Sequence, residues 1–202
     1  MIADNITNKI TGIILAGGKS IRMQGKNKGL VQINGKPLIS YVIQRLHPQA
    51  ANLIINSNSN ISEYKKFGLP VVQDAIPDHP GPLAGIAACM AQAKTEFVLC
   101  VPCDAPVLPA DLGERLYQSI TENHTELAYV HDGIRPQPLF AMIQRDLMTS
   151  INDYLGTAQH KVDNWYHQHQ YSECDFSDET ENFLNINTEQ DLQKAAVQYK
   201  IQ

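Results

Sequence analysis

A glycine-rich loop with four basic side chains follows the first apolar run of the chain. Residues 16–28 contain Gly17, Gly18 and Gly25 together with Lys19, Arg22, Lys26 and Lys28. Glycine lets the backbone approach a ligand closely, successive N–H groups can surround an anion, and lysine and arginine neutralise its charge. The loop therefore favours the binding of a phosphate group, and the alternative is a solvated basic loop without a ligand.

This loop matches neither of the two common phosphate-binding motifs. Gly12, Gly18, Lys19 and Ser20 have the residue types of a Walker A loop, but five residues separate the two glycines where the motif requires four. The chain also contains no G-x-G-x-x-G sequence. A P-loop NTPase and a dinucleotide-binding domain are therefore not indicated.

Asp104 is the second group with evident chemistry, because it ends the apolar run 97–103. A buried carboxylate is costly unless it meets a cation. Mg²⁺ is usually held by one or two carboxylates together with substrate phosphates and water, so one aspartate opposite a basic glycine loop is sufficient. We therefore predict that Asp104 binds Mg²⁺, and the alternatives are a helix N-cap or a salt bridge to Arg22 or Lys28.

The cysteines do not indicate a redox or zinc site. Cys100 and Cys103 have C-x-x-C spacing but lie in a predicted buried strand, whereas a reactive thiol is favoured at a helix N-terminus. Cys89 and Cys174 are isolated in the sequence, so a second zinc-binding pair is missing. Four irregularly spaced cysteines are typical of a reducing compartment, and we expect a cytoplasmic protein.

Alternating strand and helix patterns would position these residues. Apolar runs at 10–15, 52–56, 69–73 and 97–102 predict strands, and helical patterns lie between them at 38–46, 62–67 and 82–93. This alternation predicts an α/β fold, namely a single Rossmann-like domain whose mostly parallel central sheet is flanked by helices.

Polar or glycine-rich residues follow several of these strands. They are the glycine pair after Leu15, then Asn56, Asp74 and Asp104. Ligands of open α/β sheets bind beyond the carboxyl ends of the strands, so we expect one shared crevice. The alternative is that asparagine and aspartate follow strands as turn residues or helix caps.

The pattern is looser in the second half of the chain. It predicts a helix that begins near 109–112, strands at 127–131 and 137–143, a helix over 146–155, and a final helix at 192–199 after a capping box at 188–191. In the first half, the Asn34-Gly35 turn predicts a short hairpin or an extended arm. Residues 160–181 are expected to form a loop or an irregular pair of strands.

The composition is that of one globular domain. The 202 residues are 43% hydrophobic, enough for a sizeable core. A formal charge of −5 argues against a nucleic-acid partner, and no apolar run approaches the ~20 residues of a membrane helix. Asp4 and the early glycine pair argue against a signal peptide. Composition leaves the oligomeric state open, and a monomer is our expectation.

The start of the chain resembles the sugar-nucleotide-type nucleotidyltransferases. The resemblance rests on Leu15-Ala16-Gly17-Gly18, Arg22-Met23, Gly25, Lys28-Gly29-Leu30 and Gly35-Lys36-Pro37-Leu38. Later segments are similar to one branch, the molybdenum cofactor guanylyltransferases: Asp74, Pro80-Gly81-Pro82-Leu83-Ala84-Gly85, Pro102-Cys103-Asp104-Ala105-Pro106, Asp132-Gly133 with Arg135 and Gln137-Pro138-Leu139, Asp175-Phe176, and Phe183-Leu184-Asn185-Ile186-Asn187-Thr188. The likeness extends from about Ile10 to Leu192. Asn27 departs from it, because the family generally has aspartate before the loop lysine.

The resemblance implies a reaction and a set of site residues. GTP and molybdenum-molybdopterin would give the guanine dinucleotide cofactor and pyrophosphate, with Mg²⁺ required. It implies GTP contacts from Leu15, Ala16, Gly17, Lys28, Asn56, Asp74 and Asp104, with Mg²⁺ on Asp104. It implies molybdopterin contacts from Arg22, Gly25, Gly81, Asn185 and Asn187, and catalytic roles for Lys28, Asp104 and Arg22.

The resemblance also implies an organisation and partners. Residues 1–202 would form one nucleotidyltransferase domain, with an N-terminal extension over 1–9, a nucleotide-binding half at about 10–107 and a pterin-substrate half at about 108–202. A molybdenum-insertion protein and a cofactor-receiving chaperone would be the protein partners.

Two other functions fit the same residues. A related enzyme could transfer a cytidylyl group to molybdopterin or a nucleotidyl group to a sugar phosphate. A non-catalytic GTP-binding cofactor chaperone is the alternative from another class, and Asn27 makes it conceivable. Release of pyrophosphate from GTP and molybdopterin would separate the enzyme from the chaperone.

Overall fold

The computed structural model describes residues 6–18, 27–76, 81–157, 159–186, 188 and 190–193. These residues form the strands Ile10–Leu15 (β1), Gln32–Ile33 (β2), Lys36–Pro37 (β3), Asn52–Asn56 (β4), Val71–Val72 (β5), Phe97–Pro102 (β6), Leu127–His131 (β7), Pro136–Gln144 (β8) and Tyr171–Asp175 (β9). The α-helices are Leu38–Leu46 (α1), Ile61–Lys65 (α2), Pro82–Met90 (α3), Leu112–Asn123 (α4), Met148–Gly156 (α5) and Val162–Tyr166 (α6). Short 3₁₀ helices lie at Lys28–Leu30, His47–Gln49, Arg145–Leu147 and Ser177–Phe183.

One mixed, mostly parallel sheet organises the domain. Its strand order is β5-β4-β1-β6-β8-β7-β9, and all neighbouring pairs are parallel except the two that involve β8. β2 and β3 form the separate hairpin that the Asn34-Gly35 turn predicts. The predicted α/β fold with a mostly parallel sheet is therefore confirmed.

Helices cover both faces of the sheet, which explains why its central strands are apolar throughout. β6 is buried along its whole length. Its alternate residues face opposite sides: Leu99 and Val101 pack in one hydrophobic cluster with side chains of α1 and α4, and Val98 and Cys100 pack in the other with α3 and α5. A carboxylate that follows such a strand is therefore held at the edge of a rigid, dry layer.

The loosely patterned segment 160–181 holds more structure than expected. It contains α6 and β9, so the expectation of a loop or an irregular strand pair is wrong. α6 is only one turn long, and tertiary packing stabilises it because Trp165 and Tyr166 are fully buried. β9 is an edge strand with an outward polar face, which weakens its sequence pattern.

Two further predictions fare differently. The capping box at 188–191 is confirmed, because the Thr188 N–H donates to Asp191 Oδ2 and the Asp191 N–H donates to Thr188 Oγ1. Residues 190–193 begin the final helix, and its remainder lies outside the described residues. The strand expected at 69–73 shortens to β5.

In the described part of the chain, no helix has the length and apolar character needed to cross a membrane.

Candidate active site

The carboxyl ends of β1, β4 and β6 meet at one cleft of about 280 Å³. The strands stay in register to their ends: Leu15 lies opposite Asn56 on one side and Pro102 on the other. The first residues beyond them remain paired, since the Ala16 N–H donates to Asn56 O at 2.8 Å and the Cys103 N–H donates to Leu15 O at 3.1 Å. The strand-end residues are therefore brought together, as the sequence predicts.

Most of the predicted site residues line this cleft. They include every residue assigned to GTP and one assigned to molybdopterin: Leu15, Ala16, Gly17, Lys28, Asn56, Asp74, Asp104 and Gly81. Asn185 lies in a neighbouring segment, which is attached to the site because the N–H of Ile186 donates to Asp104 O at 2.9 Å. Arg22, Gly25 and Asn187 lie outside the described residues.

Lys28 and Asp104 form an ion pair in the cleft, with 3.0 Å between Lys28 Nζ and Asp104 Oδ2. Asp104 follows β6 and is buried, whereas Lys28 begins the 3₁₀ helix after the glycine loop. A lysine partner compensates a carboxylate that burial would otherwise disfavour. The salt bridge that the sequence left as an alternative is thus present, and it places the ammonium group at the mouth of the site.

Two asparagines hold the second carboxylate, Asp74. Asn56 Nδ2 donates to Asp74 Oδ1 at 2.8 Å, and Asn58 Nδ2 donates to Asp74 Oδ2 at 2.7 Å. Asn58 also accepts the backbone N–H of Asp74 at 2.8 Å. The carboxylate is therefore kept in one orientation by donors on both oxygens, while each oxygen retains further lone pairs for a ligand.

The wall behind Asn56 is unusually close. A β-carbon placed on Gly85 of α3 would lie 2.2 Å from Asn56 Oδ1, and one on Gly17 would lie 3.0 Å from the same oxygen. Asn56 also donates to Val72 O at 3.2 Å. The helix, the loop and the strand end therefore leave Asn56 only 3% exposed at the wall of the cleft.

Asn27, where the resemblance leads us to expect aspartate, also lines the cleft. Its Nδ2 donates to Ser59 Oγ at 3.2 Å, and its Oδ1 accepts a hydrogen bond from the hydroxyl of Tyr64 in α2. Asn27 is buried, and Tyr64 is fully buried. The amide group is therefore fixed by two side chains that the sequence did not single out.

The donor set suits a cation that takes few protein ligands. Among the described residues, no group of three or more histidine, cysteine, aspartate or glutamate side chains is placed to hold a metal ion. Transition-metal sites built from imidazole and thiolate ligands therefore have no candidate there. Asp104 beside an open phosphate-sized cleft matches the way in which Mg²⁺ is bound with substrate oxygens and water.

The C-x-x-C segment has no redox geometry. Cys100 and Cys103 are free and buried, and burial raises the pKa of both thiols above the usual cysteine value. Cys103 instead packs beneath the loop, with its Sγ 3.2 Å from the position of a β-carbon on Gly29. A protonated thiol there acts as a small apolar contact.

Sequence reasoning missed Asn58 and Tyr64. Asn58 carried a weak signal, because a run of polar residues follows β4. His169 is a further residue with an unpredicted contact: its Nε2 lies 2.8 Å from Ser150 Oγ, and its side chain is only 12% exposed. Both Tyr64 and His169 depend on partners distant in sequence, which periodicity cannot reveal.

The chain is similar to known proteins over most of its length. A family model described as "MobA-like NTP transferase domain" matches residues 12–173. A relative named molybdenum cofactor guanylyltransferase, from Shewanella loihica, is 40% identical over 186 residues, which are 92% of this chain and 95% of that protein. A relative of the same name from Shewanella halifaxensis is 38% identical over 189 residues, covering 94% of each chain.

Solved structures with a similar fold are more distant in sequence. Molybdopterin-guanine dinucleotide biosynthesis protein A from Archaeoglobus fulgidus superposes with a TM-score of 0.76 at 20% identity, covering 93% of this chain and 97% of that chain. At this identity the likeness shows the fold alone. The base that the cleft accepts must therefore be argued from its own residues.

Proposed function

The chain belongs to the MobA-like NTP transferase family, and we infer from this that it is a molybdenum cofactor guanylyltransferase. Such an enzyme transfers GMP from GTP to molybdenum-molybdopterin and releases pyrophosphate. The observation that carries the inference is the identity of about 40% to enzymes of that name over almost the whole chain. The cleft, with an ion pair at one side and a braced carboxylate at the other, supplies suitable groups.

Asp74 is the group that we propose to read the base. Guanine presents N1–H and N2–H₂ as adjacent donors, and a carboxylate can accept both. Asn56 and Asn58 support this role because their donated hydrogen bonds hold both carboxylate oxygens of Asp74 in one orientation. Cytosine and uracil lack the donor pair, so they would make fewer hydrogen bonds to the half-buried Asp74.

The proposed chemistry is an in-line displacement at the α-phosphorus of GTP. The terminal phosphate oxygen of the pterin forms the new P–O bond, and the bond from the α-phosphorus to the bridging oxygen breaks, so that pyrophosphate leaves with its electron pair. No protein nucleophile is needed. Lys28 and the backbone N–H groups at Gly17 and Gly18 would hold the phosphates in place and offset their charge.

Mg²⁺ is proposed as the cofactor, with Asp104 as its protein ligand. When bound, the ion would supply charge neutralisation on the phosphate oxygens. The support is that the carboxylate of Asp104 lines a cleft in which Lys28 is the one lysine among the described lining residues. Arg22, Gly25, Gly81, Asn185 and Asn187 remain the proposed molybdopterin contacts, and Gly81 at the cleft wall agrees with an acceptor bound on that side.

Further features of the protein are proposed on the family resemblance and on its buried thiols. A molybdenum-insertion protein would deliver the pterin, and a receiving chaperone would take the product. The free cysteines suit a reducing cytoplasm. A monomer remains the proposed oligomeric state.

The test is release of pyrophosphate from GTP in the presence of molybdenum-molybdopterin and Mg²⁺. We expect turnover in the wild type and a loss of at least about 100-fold in Asp104→Asn, which keeps the shape of the side chain but removes its charge. Asp153→Asn on the exposed side of α5 is the matched control and should leave turnover unchanged.

Three outcomes would contradict the proposal. GTP binding without pyrophosphate release would indicate the non-catalytic chaperone. Faster turnover with CTP would indicate a cytidylyl enzyme. Normal turnover of Asp104→Asn would remove this residue from the catalytic set.

A further inference from the structure

Tyr64 is a buried residue of α2 that lies beneath the loop carrying Lys28. Its side chain has no exposed surface, and it does not line the cleft in the described part of the chain. A tyrosine in such a position normally places its hydroxyl against a polar partner. The identity of that partner connects α2 to the active site.

The partner is Asn27, the residue immediately before Lys28. Tyr64 donates its hydroxyl hydrogen to Asn27 Oδ1, and Asn27 Nδ2 donates in turn to Ser59 Oγ at 3.2 Å. Burial raises the pKa of Tyr64 well above its usual value, so the hydroxyl remains a donor. The side chain of Asn27 is therefore anchored at both of its polar atoms.

The residue after Lys28 is held by the same hydroxyl. A β-carbon on Gly29 would lie 2.7 Å from the Tyr64 hydroxyl oxygen and 3.2 Å from Cys103 Sγ. The turn therefore sits between α2 on one side and the end of β6 on the other. The turn is also closed on itself, because the N–H of Leu30 donates to Asn27 O at 3.0 Å.

These contacts decide where the lysine side chain starts. A lysine side chain has a flexible four-carbon stem, so its ammonium group occupies one position only if the backbone that carries it is fixed. Here the two neighbours of Lys28 are anchored, and its Nζ lies 3.0 Å from Asp104 Oδ2. Cys103, which supports the turn, is the residue directly before Asp104.

We propose that Tyr64, acting through Asn27, is a positioning residue that holds Lys28 in place opposite Asp104 and thereby sets the rate of nucleotidyl transfer. This inference rests on the proposed function. It also accounts for Asn27 at a position where the resemblance leads us to expect aspartate. Both side chains can accept from Tyr64, and a hydrogen bond to Ser59 is available to either, with the amide as donor or the carboxylate as acceptor.

The test is a double-mutant cycle of Tyr64→Phe and Lys28→Ala, read as pyrophosphate release. Loss of one buried hydrogen bond should lower kcat about tenfold in Tyr64→Phe. In the Lys28→Ala background, Tyr64→Phe should cost less than about twofold, because the group that it positions is gone. A purely structural role would lower both backgrounds by the same factor.

A control and a rescue accompany the cycle. Tyr129→Phe removes another partly buried tyrosine hydroxyl, which donates to Glu173 at 2.7 Å on the far side of the sheet, and it should leave kcat unchanged. Asn27→Ala should lower kcat as Tyr64→Phe does. Asn27→Asp, which keeps a hydrogen-bond acceptor for Tyr64, should retain most of the wild-type kcat. If Tyr64→Phe does not fold, Asn27→Ala replaces it in the cycle with Lys28→Ala.

The failures of the two proposals are distinguishable. An active wild type in which the two losses multiply, or in which Tyr64→Phe turns over normally, overturns the positioning role alone. A wild type that releases no pyrophosphate overturns the proposed function. The same cycle read as GTP affinity by calorimetry then decides whether Tyr64 acts through Lys28: coupled losses support the positioning, and independent losses overturn it.

Discussion

Gly85 is the residue at which packing most directly controls the proposed base-reading group. Its helix position favours alanine by about 1 kcal/mol over glycine, yet a β-carbon there would lie 2.2 Å from Asn56 Oδ1 and 2.6 Å from Asn56 Cγ. Asn56 cannot retreat, because it is buried and donates to both Val72 O and Asp74. Glycine therefore makes this helix position less stable, but it allows α3 to approach the end of β4 closely.

We predict that Gly85→Ala weakens GTP binding at least about tenfold, since Asn56 must move and the orientation of Asp74 depends on it. Calorimetry at a temperature where the variant is folded would measure this. Gly156→Ala is the control, because a β-carbon there meets nothing within 4 Å, and it should leave GTP affinity unchanged. Wild-type affinity in Gly85→Ala would show that Asn56 does not support the nucleotide site.

Single residues also mark the limit of what the sequence predicts. Lys28, Asp74 and Asp104 were identifiable because each follows a strand or a glycine loop at the edge of an α/β sheet where ligands bind. Tyr64 and Asn58 were not, because each acts through a hydrogen bond to a residue at least 16 positions away. The alternatives left open for Asp104 also needed coordinates, since only geometry shows its ion pair with Lys28.

The turn between β7 and β8 shows how one side chain shapes an element. The carboxylate of Asp132 accepts the N–H groups of Ile134 and Arg135 at 2.8 Å, and it accepts Gln137 Nε2 at 2.7 Å. Thr180 donates to the backbone carbonyl of Asp132 at 2.6 Å. This network explains the spacing of Asp132 and Gln137, for which the sequence suggested no role.

The turn predicts a pH dependence of stability. Burial raises the pKa of Asp132, but the hydrogen bonds from Gln137 and the two backbone N–H groups prevail, and the pKa lies below the usual carboxyl value. Because the folded-state pKa is depressed, the stabilisation is complete above the unfolded pKa of about 4 and is lost as pH falls through the folded pKa.

We therefore expect Asp132→Asn to lower the free energy of unfolding at pH 7 by about 1–3 kcal/mol, since the new amide faces the Gln137 donor. The loss should shrink as pH falls below about 4 and through the depressed folded-state pKa of Asp132, because the wild-type carboxyl then becomes protonated in the folded protein. Urea denaturation at pH 7 and at a pH below about 4 would measure the loss of stability, with Asp146→Asn at an exposed position as the control. An equal loss at both pH values would contradict the role of the charge.

Elements with weak internal signals needed the whole fold to define them. β1, β4, β6 and α1 were predicted with their observed bounds because buried parallel strands and an amphipathic helix have strong patterns. α6 and β9 were missed because α6 is five residues long and β9 lies at the sheet edge. Such elements are stabilised by contacts with residues distant in sequence, and hydrophobic periodicity does not reveal those contacts.

At the scale of the whole molecule, the fold does not choose the base. A solved 4-diphosphocytidyl-2C-methyl-D-erythritol synthase from Anaerococcus prevotii superposes on the chain with a TM-score of 0.71 at 10% identity, covering 95% of this chain and 98% of that one. Because the fold is shared at so low an identity, the side chains of the cleft must decide which nucleotide binds.

Charge adds a second requirement on the ligand. The protein carries a formal charge of −5, and among the described lining residues Lys28 is outnumbered by Asp74 and Asp104. A nucleoside triphosphate brings several more negative charges into this cleft. Binding should therefore depend strongly on Mg²⁺, because the ion offsets charge that the described lining cannot.

Thermal unfolding with each nucleotide, with and without Mg²⁺, tests both points together. A ligand at about 100 times its dissociation constant adds about 2.7 kcal/mol, which corresponds to a rise in Tm of about 5–10 °C for a domain of this size. We expect that rise for GTP with Mg²⁺, a much smaller one with EDTA, and little response to ATP, CTP or UTP. Asp74→Ala should remove the preference for GTP, because the acceptor for N1–H and N2–H₂ is gone. An equal response to CTP would place the chain with the cytidylyl enzymes, and a full response in EDTA would exclude Asp104 as the ligand of a required metal.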